Sequence, residues 1–164
     1  FEGGWCFNFY LAPHNYHHVH APLSGEICGY DYLPGTLWPV NDLFLHRVPG
    51  LFAANERVAI WMRRGGKSAA VVMIGAANVG KITLSFCNLR TNRGPRREAE
   101  RRIFSAPQTV AAGDRLGIFN LGSSVLVFCE PETASPLEGF TPGRKVRCGE
   151  SVARWLEGPL PGGN

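Results

Sequence analysis

Residues 57–74 read RVAIWMRRGGKSAAVVMI, in which two short apolar runs flank a basic segment that contains two glycines. The runs at 57–62 and 69–74 have the length and composition of strands, and the segment between them favours a hairpin turn. Two further segments point the same way: 82–86 alternates with period two, and 125–128 is a continuous apolar run. The chain is therefore predicted to form β-sheet from short strands.

The composition supports a single domain with a real core. The chain has 164 residues, 45% of them hydrophobic and 18% charged, and a chain of this size buries roughly 70% of its unfolded surface. Its 20 glycines and 12 prolines indicate many turns, and helices are expected only at 40–47 and 151–156. We predict one domain over residues 1–164 with a mostly β fold, a compact antiparallel β-sandwich or barrel with few short helices.

The sequence contains no apolar run of the roughly 20 residues that cross a bilayer, and no signal peptide is predicted. The chain opens on Phe1 rather than Met, as expected of a fragment or a processed piece. Its cysteines are odd in number and none lies in a CxxC pair, so we expect reduced, mostly buried thiols in an intracellular protein. These cysteines are Cys6, Cys28, Cys87, Cys129 and Cys148.

A basic segment, RGPRREAERR, occupies residues 93–102. One interpretation is a surface that faces anionic lipid headgroups, and the other is a solvated loop, which is the more common role of charge runs. Nucleic-acid binding fits poorly, because the formal net charge is only +4 and no interleaved aromatic residues accompany the arginines.

Four histidines fall within seven residues: His14, His17, His18 and His20. Imidazole titrates near neutral pH, which suits it to acid–base chemistry, and it also binds metals. A catalytic zinc usually takes three protein ligands. His17 and His20 would share a face on a helical turn, and His18 and His20 would on a strand, so neither geometry supplies a third ligand. Acid–base or structural roles are therefore favoured over a metal, and no metal site is predicted.

A glycine–serine step, Gly122-Ser123, lies between two apolar segments. One interpretation is a tight turn, as most such pairs are. In the other, glycine permits a strained backbone and the serine hydroxyl attacks the preceding carbonyl in an N-to-O acyl shift. Elimination from the resulting ester leaves a dehydroalanine, which hydrolyses to a pyruvoyl group. This chemistry requires a base near the hydroxyl, and the histidine segment could provide one.

Five blocks of the chain, in the right order, resemble motifs of the pyruvoyl-dependent phosphatidylserine decarboxylase family. The resemblance runs from about Phe1 to Glu150. The blocks are YLAPHNYHHVHAP at 10–22, similar to YLxPxDYHRxHxP; YLPGTLWPVN at 32–41, similar to VPGxLxxVN; LFAANERV at 51–58, similar to LFxxNERV; GAANVGKI at 75–82, similar to VGAxNVGSI; and GDRLGIFNLGSS at 113–124, similar to KGxExGxFxxGST.

This resemblance implies self-cleavage between Gly122 and Ser123. Residues 1–122 would then correspond to the longer β chain and residues 123–164 to the short α chain. Ser123 would become the covalent pyruvoyl cofactor at the start of the α chain. His20 aligns with the histidine that activates the serine for cleavage.

The resemblance also implies the reaction and its partners. His17 and Asn78 would handle the substrate, whose amine condenses with the pyruvoyl carbonyl to a Schiff base before CO2 leaves. The product of phosphatidylserine is then phosphatidylethanolamine, made at an anionic membrane surface to which the protein binds peripherally inside the cell. A second copy of the chain, forming a homodimer, is a candidate partner. The implied fold resembles the β-sandwich of biotinyl and lipoyl carrier domains.

The sequence departs from the family pattern at several positions, including Lys81 for the usual Ser after Asn-Val-Gly and Ser124 for the Thr after the cleavage Ser. Two further departures affect the predicted site. The family's Asp-His-Ser triad takes its Asp from a segment upstream of this chain, and none of Asp31, Asp42 and Asp114 matches it. The Asp-Tyr-His-Arg motif is Asn-Tyr-His-His at 15–18. Two alternatives therefore stay open, a pyruvoyl-dependent decarboxylase of a soluble amino acid and a non-catalytic lipid-binding β-domain of the same family.

Overall fold

The computed structural model describes residues 1–77, 81–92, 98–120 and 123–156. Within these residues the chain forms eleven strands and two short helices. The helices are α1 (Asp42–Arg47) and α2 (Leu51–Ala54). The strands are β1 (Trp5–Leu11), β2 (His18–His20), β3 (Gly25–Leu33), β4 (Arg57–Arg64), β5 (Lys67–Ile74), β6 (Ile82–Leu84), β7 (Glu100–Val110), β8 (Arg115–Phe119), β9 (Ser123–Cys129), β10 (Ala134–Pro136) and β11 (Ala153–Trp155).

Six of these strands form one antiparallel sheet in the order β1-β9-β5-β4-β3-β7. The hairpin predicted at 57–74 is confirmed as β4 and β5, which pair from Arg57 opposite Ile74 to Arg64 opposite Lys67. The turn between them contains two glycines at φ 56° and 79°, a left-handed conformation that glycine adopts without steric cost.

The inner face of the large sheet packs against a three-stranded sheet with the order β2-β8-β6. The two sheets approach closely at Gly117 of β8, where an added Cβ would lie 3.1 Å from Met73 Sδ of β5. Ile60, Met73 and Leu116 are among the side chains that are fully buried in this core. The predicted fold class, a mostly β antiparallel sandwich with few short helices, is confirmed.

The two predicted helices have different outcomes. The helix expected at 40–47 is confirmed as α1, where the Asn41 side chain accepts a hydrogen bond from the backbone N–H of Phe44 at 3.2 Å. The helix predicted at 151–156 is wrong, because β11 pairs there with β10. A segment this short forms one helical turn at most, and helix nucleation is unfavourable. Pairing with β10 satisfies its backbone groups instead.

Strand β7 was not predicted, although it is eleven residues long. It lies at the edge of the large sheet, pairs only with β3, and is mostly exposed, so it lacks an apolar alternation. Part of the basic segment at 93–102 belongs to this strand rather than to a solvated loop. There, Arg101 forms an ion pair with Asp31 of β3 at 2.8 Å. Residues 93–97 lie outside the described residues.

The expectation of mostly buried cysteines is wrong. All five are free thiols, but only Cys129 is buried, whereas Cys6 and Cys148 are exposed. Burial raises the pKa of Cys129 to about 11. Cys6 is exposed because side chains alternate between the two faces along edge strand β1, and at this position the side chain points away from the core. In the part of the chain that the structure describes, no helix has the length and apolar character that a membrane span requires.

Candidate active site

Ser123, the predicted nucleophile, is the first residue of β9, between β5 and β1 in the large sheet. Leu11 of β1 lies opposite Ser123, and Ile74 of β5 lies opposite Ser124. The Ser123 side chain is fully buried, and its hydroxyl donates a hydrogen bond to the Ile74 carbonyl oxygen. The serine is therefore held inside the protein at a strand end and is not exposed on a turn.

Two further predicted site residues cannot be placed. Gly122, on the amino side of the predicted cleavage bond, and Asn78, predicted to bind substrate, lie outside the described residues. Their roles stay predictions.

His17 lies next to the strand that leads to Ser123. Its backbone carbonyl accepts a hydrogen bond from the N–H of Phe119, the last residue of β8, at 3.1 Å. The chain reaches Ser123 only four positions after Phe119. The Nε2 atom of His17 is buried and makes no hydrogen bond with any residue that the structure describes. A buried polar atom without a partner is costly, so this nitrogen is a candidate for contact with a substrate.

His20 differs from His17 because both of its ring nitrogens have partners. Nδ1 lies 2.7 Å from the Gly113 carbonyl oxygen, and Nε2 lies 2.9 Å from the Tyr16 hydroxyl. A carbonyl oxygen can only accept, so Nδ1 carries a proton, and in the neutral imidazole Nε2 accepts from Tyr16. Across the described residues, no hydrogen bond joins His20 to Ser123. The structure thus orients the imidazole and presents Nε2 as the basic nitrogen.

The histidine segment adopts strand rather than helical geometry, which brings His18 and His20 together and not His17 and His20. The rings of Tyr16, His18 and His20 stack, with the Tyr16 ring 5.0 Å from His18 and 5.7 Å from His20 between centroids. His17 immediately precedes β2. Over the described ranges, no group of three or more His, Cys, Asp or Glu side chains is placed to hold a metal ion.

Asn55 is a fully buried residue that the sequence interpretation did not single out. Its Oδ1 accepts from the Trp38 backbone N–H and the Thr36 hydroxyl, both at 2.9 Å. Its Nδ2 donates to the carbonyls of Trp38 at 2.8 Å and Gly75 at 2.9 Å. The Asn55 amide therefore connects the loop after β3 to Gly75. Gly75 directly follows Ile74, whose carbonyl accepts the hydrogen bond from the Ser123 hydroxyl.

Glu56 is the second residue that the sequence interpretation missed, and it is buried next to Asn55. Oε1 of its carboxylate accepts a hydrogen bond from the Tyr32 hydroxyl at 2.7 Å, and Oε2 accepts from Asn92 Nδ2 at 2.5 Å. The sequence signal was the NERV block at 55–58, which was used only to support the family resemblance. A buried carboxylate near a predicted nucleophile is a functional candidate in its own right.

Comparisons with known proteins agree on one family. A family model described as phosphatidylserine decarboxylase matches residues 1–154. The phosphatidylserine decarboxylase proenzyme of Anaeromyxobacter sp. strain K is 38% identical over 158 residues, which cover 93% of this chain and 54% of the relative. The proenzyme of Helicobacter pylori strain J99 is 37% identical over 150 residues (90% and 54%), and that of Brevibacillus brevis is 32% identical over 154 residues (93% and 55%). The chain spans about half the length of these curated relatives.

Proposed function

This chain belongs to the phosphatidylserine decarboxylase family, and we propose that it is the catalytic β-domain of a self-processing, pyruvoyl-dependent carboxy-lyase. The reaction is the conversion of phosphatidylserine into phosphatidylethanolamine and CO2. One observation carries this assignment for the chain itself. The buried Ser123 lies four residues after Phe119, whose N–H binds the His17 carbonyl, and the buried Nε2 of His17 has no partner among the described residues.

The residues around Ser123 fit a pyruvoyl group. The pyruvoyl group keeps Cα and Cβ of Ser123 as its keto carbon and methyl group and carries one oxygen where the serine had its hydroxyl, so a fully buried position can hold it. Strand β9 begins at Ser123, so a new chain terminus there leaves the pairing of the following residues with β1 and β5 in place. When formed, this group supplies an electron-withdrawing carbonyl for the loss of CO2.

His17 and His20 divide the proton transfers. His17 Nε2 donates a proton to the substrate α-carbon after CO2 leaves, because this nitrogen is buried and is not occupied by another group. His20 acts earlier as the base that draws the proton from the Ser123 hydroxyl during self-cleavage. In the neutral imidazole, the contact with Gly113 assigns the proton to Nδ1 and leaves Nε2 as the acceptor, as this role requires. To act as this base, His20 Nε2 must break its hydrogen bond with the Tyr16 hydroxyl and form one with the Ser123 hydroxyl.

The end of the large sheet that contains Ser123 also carries exposed apolar side chains. Tyr10 lies opposite Ser124 and is 54% exposed, and Trp38, held by Asn55, is 43% exposed. Leu43 of α1 is 52% exposed, and the last turn of that helix carries His46 and Arg47. Aromatic and basic side chains together suit the interface of an anionic bilayer. Peripheral binding of an intracellular membrane at this end would bring a phospholipid to Ser123.

The experiment that tests the function uses the complete natural protein. Intact-mass measurement should give two fragments that meet at Gly122 and Ser123, the smaller one blocked by a pyruvoyl group, and the protein should release CO2 from phosphatidylserine vesicles. Cleavage with activity only on a free amino acid would indicate the soluble-substrate alternative. A single uncut mass without activity would contradict the proposal and favour a non-catalytic lipid-binding domain.

A further inference from the structure

The Glu56 carboxylate is buried without a cationic partner among the residues that the structure describes. The side chain is 4% exposed, and both of its hydrogen-bond donors, Tyr32 and Asn92, are neutral. The adjacent Arg57 is directed elsewhere, because it donates to the carbonyls of Ala53 at 2.5 Å and Asn55 at 3.0 Å. Burying a carboxylate is expensive unless a cation or several donors compensate it. Two neutral donors leave acceptor positions open, since a carboxylate offers about four.

The sheet register places Glu56 in one row with Ser123. Ile74 lies opposite Ser124 in an antiparallel pair, so the next residue, Gly75, lies opposite Ser123. The Gly75 N–H donates to the Glu56 carbonyl at 2.7 Å, which makes Glu56 the next member of the row. Residues directly opposite one another across antiparallel strands point to the same face. Glu56 and Ser123 therefore share the inner face, about two strand spacings or roughly 10 Å apart.

Gly75, which has no side chain, lies between Glu56 and Ser123 in this row. A Cβ added to Gly75 would lie 3.6 Å from Glu56 Oε2, so the carboxylate extends over the glycine toward Ser123. The same Cβ would lie 3.1 Å from Leu37 Cδ2, which closes the other side. Within this row of described residues, no side chain therefore separates the carboxylate from Ser123.

We propose that Glu56 binds the primary ammonium group of the substrate next to Ser123. This inference rests on the proposed function, because it takes the substrate to be an amine that must reach position 123. Of the groups on phosphatidylserine, only the ammonium is cationic, and the phosphate and carboxylate would be repelled by Glu56. The carboxylate accordingly selects the orientation in which the amine faces position 123 and the two anionic groups point away.

The test measures binding without turnover. The complete, processed protein is treated with borohydride, which reduces the pyruvoyl group, and is titrated with short-chain phosphatidylserine. A matched lipid carries a hydroxyl in place of the amine. We expect the wild type to bind the amine lipid about tenfold or more tightly than the hydroxyl lipid, the scale of one charge-assisted hydrogen bond. Glu56→Gln should bind both lipids equally and leave the affinity for the hydroxyl lipid unchanged.

Tyr32→Phe is the matched control, since it removes one donor to the same carboxylate but keeps the charge, and it should retain the amine preference. A Glu56→Gln protein that keeps the preference overturns the inference, as does a wild type that shows none. If Glu56→Gln fails to fold or to be cleaved, the same titrations on Glu56→Asp decide. The shorter side chain draws the carboxylate away from the amine, so the preference should fall, and an unchanged preference counts against Glu56. A wild type that is neither cleaved nor active on phosphatidylserine contradicts the proposed function instead.

Discussion

The His17 carbonyl oxygen accepts the Phe119 N–H at 3.1 Å, which joins the histidine segment to the end of strand β8. Position 17 and position 119 are far apart in the sequence, and Ser123 follows four residues after Phe119. This one backbone contact explains how a histidine near the start of the chain reaches the vicinity of a serine near its end. The predictions that follow test each part of this arrangement.

Replacing Ser123 by Ala should abolish both self-cleavage and decarboxylation, because no hydroxyl remains to attack the preceding carbonyl. Intact mass should show one uncut chain. Ser124→Ala is the matched control, since Ser124 is also buried on β9 but lies on the opposite face of the sheet. An active Ser123→Ala protein would rule out the pyruvoyl mechanism.

His17→Ala should leave cleavage intact but lower kcat by roughly 100-fold or more, the usual effect of losing a positioned proton donor. The variant should stay folded, because the hydrogen bond of His17 to Phe119 uses the backbone. Steady-state kinetics on phosphatidylserine vesicles measure the effect. The exposed His14 provides the control, and His14→Ala should behave as wild type. Normal turnover of His17→Ala would assign the proton transfer to another group.

Tyr16 and His20 should have opposite effects on self-cleavage. His20→Ala should slow or prevent cleavage, because the base is lost. Tyr16→Phe should allow cleavage at least as fast as wild type, because it removes the hydroxyl that occupies Nε2 at 2.9 Å. The time course of fragment formation after synthesis measures both. Rapid cleavage of His20→Ala would show that another base activates Ser123.

Exposed side chains at the Ser123 end of the sheet should determine membrane binding. The double change Trp38→Ala and Leu43→Ala should reduce binding to vesicles that contain anionic lipid, since both side chains are largely exposed there. Co-sedimentation measures the bound fraction. Trp5→Ala removes an equally exposed aromatic side chain at the other end of β1 and should have little effect. If Trp5→Ala weakens binding more than the double change, the docking end is assigned wrongly.

The Asp31–Arg101 pair makes the attachment of edge strand β7 depend on pH. The Arg101 guanidinium donates to both carboxylate oxygens at 2.8 Å and holds the pKa of Asp31 below its ordinary value, although desolvation opposes this. A lowered carboxylate pKa stabilises the fold above the unfolded-state pKa, and this contribution is lost as pH falls through about 4 and below.

Arg101→Gln should therefore lower the free energy of unfolding at pH 7 only slightly, because the arginine is largely exposed and solvent screens the pair. The difference from wild type should shrink by pH 3. Urea denaturation at the two pH values measures it, with Arg102→Gln on the same strand as the control. A difference that grows on acidification would contradict the sign.

Local pattern was enough for some of the structure. The hairpin at 57–74 follows from two apolar runs around two glycines, and the helix at 40–47 follows from its local sequence. The segment 151–156 shows where such reasoning fails. Its residues permit a short helix, but pairing with β10, a partner set by the tertiary fold, is more favourable than an isolated turn. Likewise, β7 forms a strand because its backbone pairs with that of β3 in the large sheet.

The candidate site divides in the same way. Ser123, His17 and His20 could be proposed from the sequence, because clustered histidines and a glycine–serine step are patterns of residue type. The resemblance to the family implies their roles, which stay predictions. Glu56 was overlooked as a site residue, since the register of three strands is needed to place it in one row with Ser123.

The sequence by itself determined the β class, the family and the candidate reactive residues, because these depend on which residues occur and in what order. Only the tertiary structure decided that His17 Nε2 is buried without a partner and that both His20 nitrogens are occupied. It also decided that the Glu56 carboxylate extends over Gly75. Burial and hydrogen bonding depend on which distant segments meet, and strand register, rather than local sequence, sets those meetings.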